Sequence, residues 1–299
     1  MRSGTSASTR VRRMAAILCL AISATALAGC STTGSTSPTT TPTVSKIAEA
    51  KGVVFSRPDG NRLTLDACTP KNAKKAPIVV LVHGGGFTNG RPSDLDFVCT
   101  AAAQQRYAAF SISYRLLPAR YPAQLVDVSA AVEWLTRPAQ VARFHTDPDD
   151  IGMIGASAGA TIVAQLATQT PGSPARPKHL KAVALLSGVY APIALTSALK
   201  DVETQYLGCD VTTAACAERA RTIYAANYVD RDDPPMLVMN STKELAPLPQ
   251  AERFAKELAA HRVPHRLVVT PGDAHAEAVL VTNAKAPAQL LAFLDRYLR

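Results

Sequence analysis

The 299-residue sequence lacks an internal repeat, a run of Lys and Arg interleaved with aromatics, and any second linker between residues 47 and 299. These absences exclude a repeat array and remove the charge footprint expected of a nucleic-acid binder. They leave one large domain rather than several. Also missing at the N-terminus is an apolar run long enough to span a bilayer as a helix: Met14 to Leu27 covers about 14 residues, against the ~20 needed. What the chain has is apolar content, 47% of residues, sufficient for a substantial core.

The short apolar run follows Arg2, Arg10, Arg12 and Arg13 with no acidic residue, and ends at Leu27-Ala28-Gly29-Cys30. A basic stretch, an apolar stretch and a small-residue end make a signal peptide over residues 1–29. The ending resembles a bacterial lipobox. That resemblance implies a diacylglycerol on Cys30, which becomes the first mature residue, and a location on the outer face of the cell membrane. Residues 30–46 are then a lipidated Cys and a Ser/Thr/Pro tether too polar to order itself. Without residues 1–29 the chain carries 28 basic against 23 acidic residues, a mild excess with no charge run. Of six cysteines, Cys19 leaves with the leader and Cys30 takes the lipid. Cys68, Cys99, Cys209 and Cys216 remain, an even number consistent with two disulfides outside the cytosol. Three pairings are open, and the reading preferred is Cys209 with Cys216 and Cys68 with Cys99.

Residues 47–299 form the catalytic-size domain. Val53–Phe55 and Leu63–Cys68 read as a pair of strands around the turn Pro58-Asp59-Gly60-Asn61. The continuous run Ile78–Val82 suits a strand buried on both faces of a parallel sheet. Further strands are expected at Ala108–Ser113, Ile151–Gly155, Ala182–Ser187, Met236–Met239 and Arg266–Val269. Helices are expected at Asp94–Gln105, Ala123–Leu135, Ala158–Thr168, Gln250–Ala260 and Pro287–Leu298. Alternation of strand and helix predicts an α/β fold with a mostly parallel, eight-stranded sheet. Residues 189–233 break the rhythm as a cap-like insertion, and few residues precede the first strand, so an N-terminal cap is reduced or missing and the cleft open.

Gly155-Ala156-Ser157-Ala158-Gly159 matches GxSxG and falls between an apolar strand and a helix. Such a string arises by chance in about one chain in ten of this length, so its context carries the weight. A tight strand-to-helix turn lifts the Ser157 hydroxyl clear and sets it beside a helix N-terminus. His83-Gly84-Gly85-Gly86 follows the strand Ile78–Val82, where glycines leave backbone N–H groups free to face a site. Gly85, Gly86 and Ala158 are the candidate oxyanion donors.

HGGGF at 83–87, SISYRLLPARYPAQLVDVSAAVEWL at 111–135 and IGMIGASAGA at 151–160 resemble the hormone-sensitive-lipase-like bacterial carboxylesterases. The resemblance implies an α/β-hydrolase fold, hydrolysis of small or short-chain carboxylic esters, no cofactor and no metal. It also implies the chain order Ser, acid, His. His275, in a loop past the last strand, is the expected base. Glu244 stands where the family commonly has Asp in a Gly-x-x-Asp setting, with Ser241 replacing the Gly, and Asp273 is the competing acid. Asp127 is expected to be structural, and Trp134 and Phe144 to be core. Other readings are a carbohydrate acetyl or feruloyl esterase, an arylformamidase-like amide hydrolase, and a non-catalytic cell-envelope binding lipoprotein.

Overall fold

A computed structural model describes residues 46–193 and 195–299. The leader, Cys30 and nearly all of the tether lie outside the described residues. Eight strands form one sheet in the order β1-β2-β4-β3-β5-β6-β7-β8. They are β1 (Ile47–Ser56), β2 (Leu63–Pro70), β3 (Ala76–Val82), β4 (Ala108–Ile112), β5 (Thr146–Ala156), β6 (Leu180–Leu186), β7 (Met236–Ser241) and β8 (His265–Thr270). β1 and β2 pair antiparallel, as do β2 and β4, and every later pairing is parallel.

The run Ile78–Val82 explains how the sheet is covered. Ile78, Val80 and Val82 enter the core on one face, Val79 and Leu81 that on the other, because successive strand side chains point to opposite sides. All five are fully buried, each worth roughly 1.5–3 kcal/mol of transfer free energy. One face is covered by α2 (Ala123–Thr136) and α4 (Ala158–Ala167), the other by α1 (Asp96–Gln104) and α9 (Ala286–Leu298). A short α3 (Pro138–Phe144) begins with Pro at its first turn and ends at His145 in a left-handed conformation. α7 (Leu248–Ala260) and the one-turn α8 (Val279–Thr282) complete the layers.

Element limits differ from expectation at the first strand and the first helix. The first strand begins at Ile47 rather than Val53, so it adjoins the tether directly; the glycine at 52 and a bulge between Ala50 and Val53 hid its periodicity. α1 starts at Asp96, since Pro92–Leu95 forms a separate 3-10 turn. The cap-like insertion at residues 189–233 contains α5 (Ser197–Leu207) and α6 (Ala214–Arg221). Thr196 and Thr213 cap these helices, their side chains accepting from the backbone N–H groups of Leu199 and Cys216.

The disulfides pair Cys68 with Cys99 and Cys209 with Cys216. The first ties β2 to α1; the second closes the turn between α5 and α6. Asp127 is structural: its buried carboxylate accepts from the backbone N–H and the guanidinium of Arg115, holding α2 against the segment after β4. Trp134 and Phe144 are buried with ring centroids 6.3 Å apart.

Candidate active site

Chemistry is concentrated past the C-terminal ends of β3, β5, β6, β7 and β8, where an open α/β sheet places its ligand crevice. Ser157 follows β5 directly and takes φ 53°, ψ −117°, a strained geometry for a non-glycine residue. The turn is possible because the neighbouring backbone packs without side chains: a Cβ on Gly159 would lie 2.1 Å from the Val82 carbonyl oxygen. The Ser157 N–H donates to the Leu186 carbonyl, pinning the turn to β6.

His275 Nε2 lies 2.8 Å from Ser157 Oγ, and its Nδ1 lies 2.5 Å from Glu244 Oε2. With a carboxylate facing Nδ1, the ring proton sits there and Nε2 is left to accept from the serine hydroxyl. The Glu244 side chain is fully buried, and its other oxygen accepts from the Ser241 N–H at 2.7 Å and the Ser187 hydroxyl at 2.8 Å. A buried carboxylate thus has a partner for each oxygen. Ser241, standing where the family's glycine is expected, is compatible with this turn and adds a tie: its hydroxyl donates to the Ala274 carbonyl at 2.6 Å, joining the end of β7 to the His275 loop. Asp273 is exposed and Asp233 pairs with Arg176 at 2.6 Å, so neither faces His275.

Ser187 escaped the sequence reading. Its hydroxyl donates to Glu244 and accepts the Ala276 N–H at 2.8 Å, so one side chain orients both the acid and the loop carrying His275. The available signal was its position at the end of the strand run Ala182–Ser187, beside the crevice. A φ of 60° marks the same spot as constrained.

Gly84 packs so closely behind Ser157 that a Cβ there would come within 2.9 Å of the serine Cβ. Gly85 and Gly86 take φ 100° and 58°, and among the described residues neither their N–H groups nor that of Ala158 donate to another protein group. Unengaged N–H groups beside a serine hydroxyl form a place for developing negative charge. The carbonyls behind them are held by the buried Tyr114 hydroxyl, which donates to His83 and Gly84.

Two spaces meet at Ser157 and His275. An apolar cavity of about 100 Å³ runs under the insertion, lined by Phe87, Val189, Leu199, Val202 and Ile223 among others. An open trough of about 350 Å³ lies on the other side, bordered by Asn89, Asp94 and Glu277. The insertion therefore lines one side of the site and leaves the other open.

The BD-FAE family matches residues 65–258. Esterase LipQ of Mycobacterium tuberculosis is 28% identical over 199 residues, 62% of this chain and 46% of its own length. Neutral cholesterol ester hydrolase 1 of Rattus norvegicus is 38% identical over 95 residues, 30% of this chain and 23% of its own. The chain thus spans about a quarter to a half of the length of these relatives. In three dimensions it is similar to a thermophilic esterase of Thermogutta terrifontis, Est2, with TM-score 0.65, 19% identity, and coverage of 83% of this chain and 92% of that one. The α/β-hydrolase fold is thereby established.

Proposed function

The chain belongs to the BD-FAE family, and from that premise we propose that it is a serine esterase hydrolysing small carboxylic esters through an acyl-enzyme. The observation that carries this reading is the position of His275, bridging Ser157 Oγ and Glu244 Oε2 at 2.8 and 2.5 Å. Ser157 attacks the ester carbonyl as His275 Nε2 takes its proton, and the N–H groups of Gly85, Gly86 and Ala158 hold the oxyanion. His275 then returns the proton to the departing alcohol oxygen, the ester C–O bond breaks, and the acyl group remains on Ser157. Water, activated by the same imidazole, releases the acid. Glu244 accepts the Nδ1 proton's hydrogen bond throughout, fixing the tautomer and stabilising the imidazolium.

The cavity under the insertion receives the acyl group. Its ~100 Å³ is well under the roughly 300 Å³ at which drug-sized ligand sites begin, which supports a short chain. The trough beside His275 supports an alcohol of larger size, and a carbohydrate acyl ester is the second reading for that reason. A panel of p-nitrophenyl acetate, butyrate, octanoate and palmitate, with an acetylated sugar added, separates these. kcat/KM is expected to fall at least about tenfold from butyrate to palmitate, as long chains exceed the cavity. A flat or rising series sinks the short-chain reading, and no acetate release from the sugar removes the carbohydrate one.

We further infer export and lipid anchoring through Cys30. The signal-like residues 1–29 support this, and so do two disulfides, which persist in oxidising compartments. The full chain expressed in a bacterium should partition into the membrane and carry diacylglycerol on Cys30 by mass spectrometry, whereas Cys30→Ala should be released by cell fractionation. A wild-type protein found unlipidated and soluble refutes the anchor.

A further inference from the structure

Ser157 is the residue from which α4 starts, and the same face of that helix grips the insertion. Thr161 and Gln165 follow Ser157 at intervals of four residues, so they stand one above the other along the helix. Thr161 Oγ1 accepts the Val189 N–H at 3.0 Å, where the chain leaves β6 for the insertion. Gln165 is fully buried and holds two further points: its Nε2 donates to the Ile223 carbonyl at 2.8 Å, and its Oε1 accepts from the Tyr206 hydroxyl at 3.0 Å. Only one orientation of the amide satisfies both, since the Ile223 carbonyl can only accept. Burial holds the Tyr206 phenol far above its ordinary pKa, so it remains a donor.

Val189, Tyr206 and Ile223 all line the acyl cavity, and Gln165 stands outside it. The Tyr206 ring stacks on Phe87 with centroids 3.9 Å apart, and Phe87 directly follows Gly86 of the oxyanion turn. Tyr206 lies near the end of α5 and Ile223 just past α6, so one side chain of α4 draws both parts of the insertion together. We propose that Gln165 is a positioning residue that sets the acyl-length limit, keeping the cavity too small for long acyl chains by holding Tyr206 and Ile223 against α4. This role rests on the short-chain ester-hydrolase reading above. Without the amide, the Tyr206 hydroxyl and the Ile223 carbonyl would be buried with no partner, and the walls carrying them would part to find one. A wider cavity favours the longer ester most, because its extra methylenes then leave water.

The test compares p-nitrophenyl butyrate with p-nitrophenyl octanoate in the wild type, Gln165→Leu and Tyr206→Phe. Leucine keeps most of the glutamine's bulk and removes both hydrogen bonds; phenylalanine keeps the stacked ring and removes one. The wild type is expected to favour butyrate by about tenfold in kcat/KM. That ratio should fall to about two in Gln165→Leu and to an intermediate value in Tyr206→Phe, the change residing in KM for octanoate. A residue that only stabilises the fold would lower both esters together and leave the ratio unmoved. A ratio equal to or above that of the wild type in folded Gln165→Leu overturns the proposal. If Gln165→Leu does not fold, a wild-type ratio in Tyr206→Phe overturns it in the same way. Failure of the underlying reading looks different, since the wild type itself would then turn over neither ester or both equally.

Discussion

Ser157→Ala is expected to lower kcat/KM for p-nitrophenyl butyrate by about 10⁵- to 10⁶-fold, the loss found when a nucleophile acting as a unit with its base is removed. The expected loss is large because the imidazole has no other protein hydroxyl to deprotonate: among the described residues, Nε2 of His275 faces only Ser157 Oγ. The variant should remain folded. Ala keeps the Cβ that packs against Gly84, and the backbone bond from position 157 to Leu186 is untouched. Thermal unfolding within a few degrees of the wild type, together with loss of turnover, assigns the effect to chemistry. Turnover equal to the wild type would end the serine-esterase reading.

Glu244→Gln should reduce kcat by about 10⁴-fold, the scale of removing the orienting charge from a triad without removing its shape. The hydrogen bonds specify why. Two donors, the Ser241 N–H and the Ser187 hydroxyl, converge on one carboxylate oxygen, and His275 Nδ1 faces the other. A glutamine at 244 has a single oxygen, which the two donors claim, so its NH₂ group turns towards Nδ1. The imidazole must then accept there and carry its proton on Nε2, where it can no longer take one from Ser157. Asp273→Asn should leave kcat within about twofold, because Asp273 is an exposed surface residue. If the second variant abolished turnover and the first did not, the acid would have been misassigned.

Much of this arrangement could be read from the chain because each part has a local physical cause. Ile78–Val82 is apolar without alternation, and a strand buried on both faces requires that pattern. Glycines flanking Ser157 are demanded by the turn, as the approach of Gly159 to the Val82 carbonyl makes plain. Glu244 and His275 were legible because the family resemblance implies the order Ser, acid, His, and each of the two follows a strand of the parallel series.

What escaped depends on contacts distant in sequence. Ser187 takes its role from partners 57 and 89 residues away, and nothing near it signals that use. Helices α5 and α6 were hidden by low apolar content: they bury few side chains, and their Thr caps and the Cys209–Cys216 bridge define their ends. The start of β1 at Ile47 was hidden by an edge strand that is mostly half-buried, with only Phe55 buried, and bulged, leaving little period-two alternation to detect.

The proposed reaction passes through a covalent bond to one oxygen atom, Ser157 Oγ. Mature-length protein mixed with p-nitrophenyl butyrate, quenched in acid during turnover and digested, can be analysed by peptide mass spectrometry. A butyryl group on Ser157, absent from Ser157→Ala treated in the same way, is the predicted result. Active protein whose acyl group sits on another residue, with Ser157 unmodified, would contradict it.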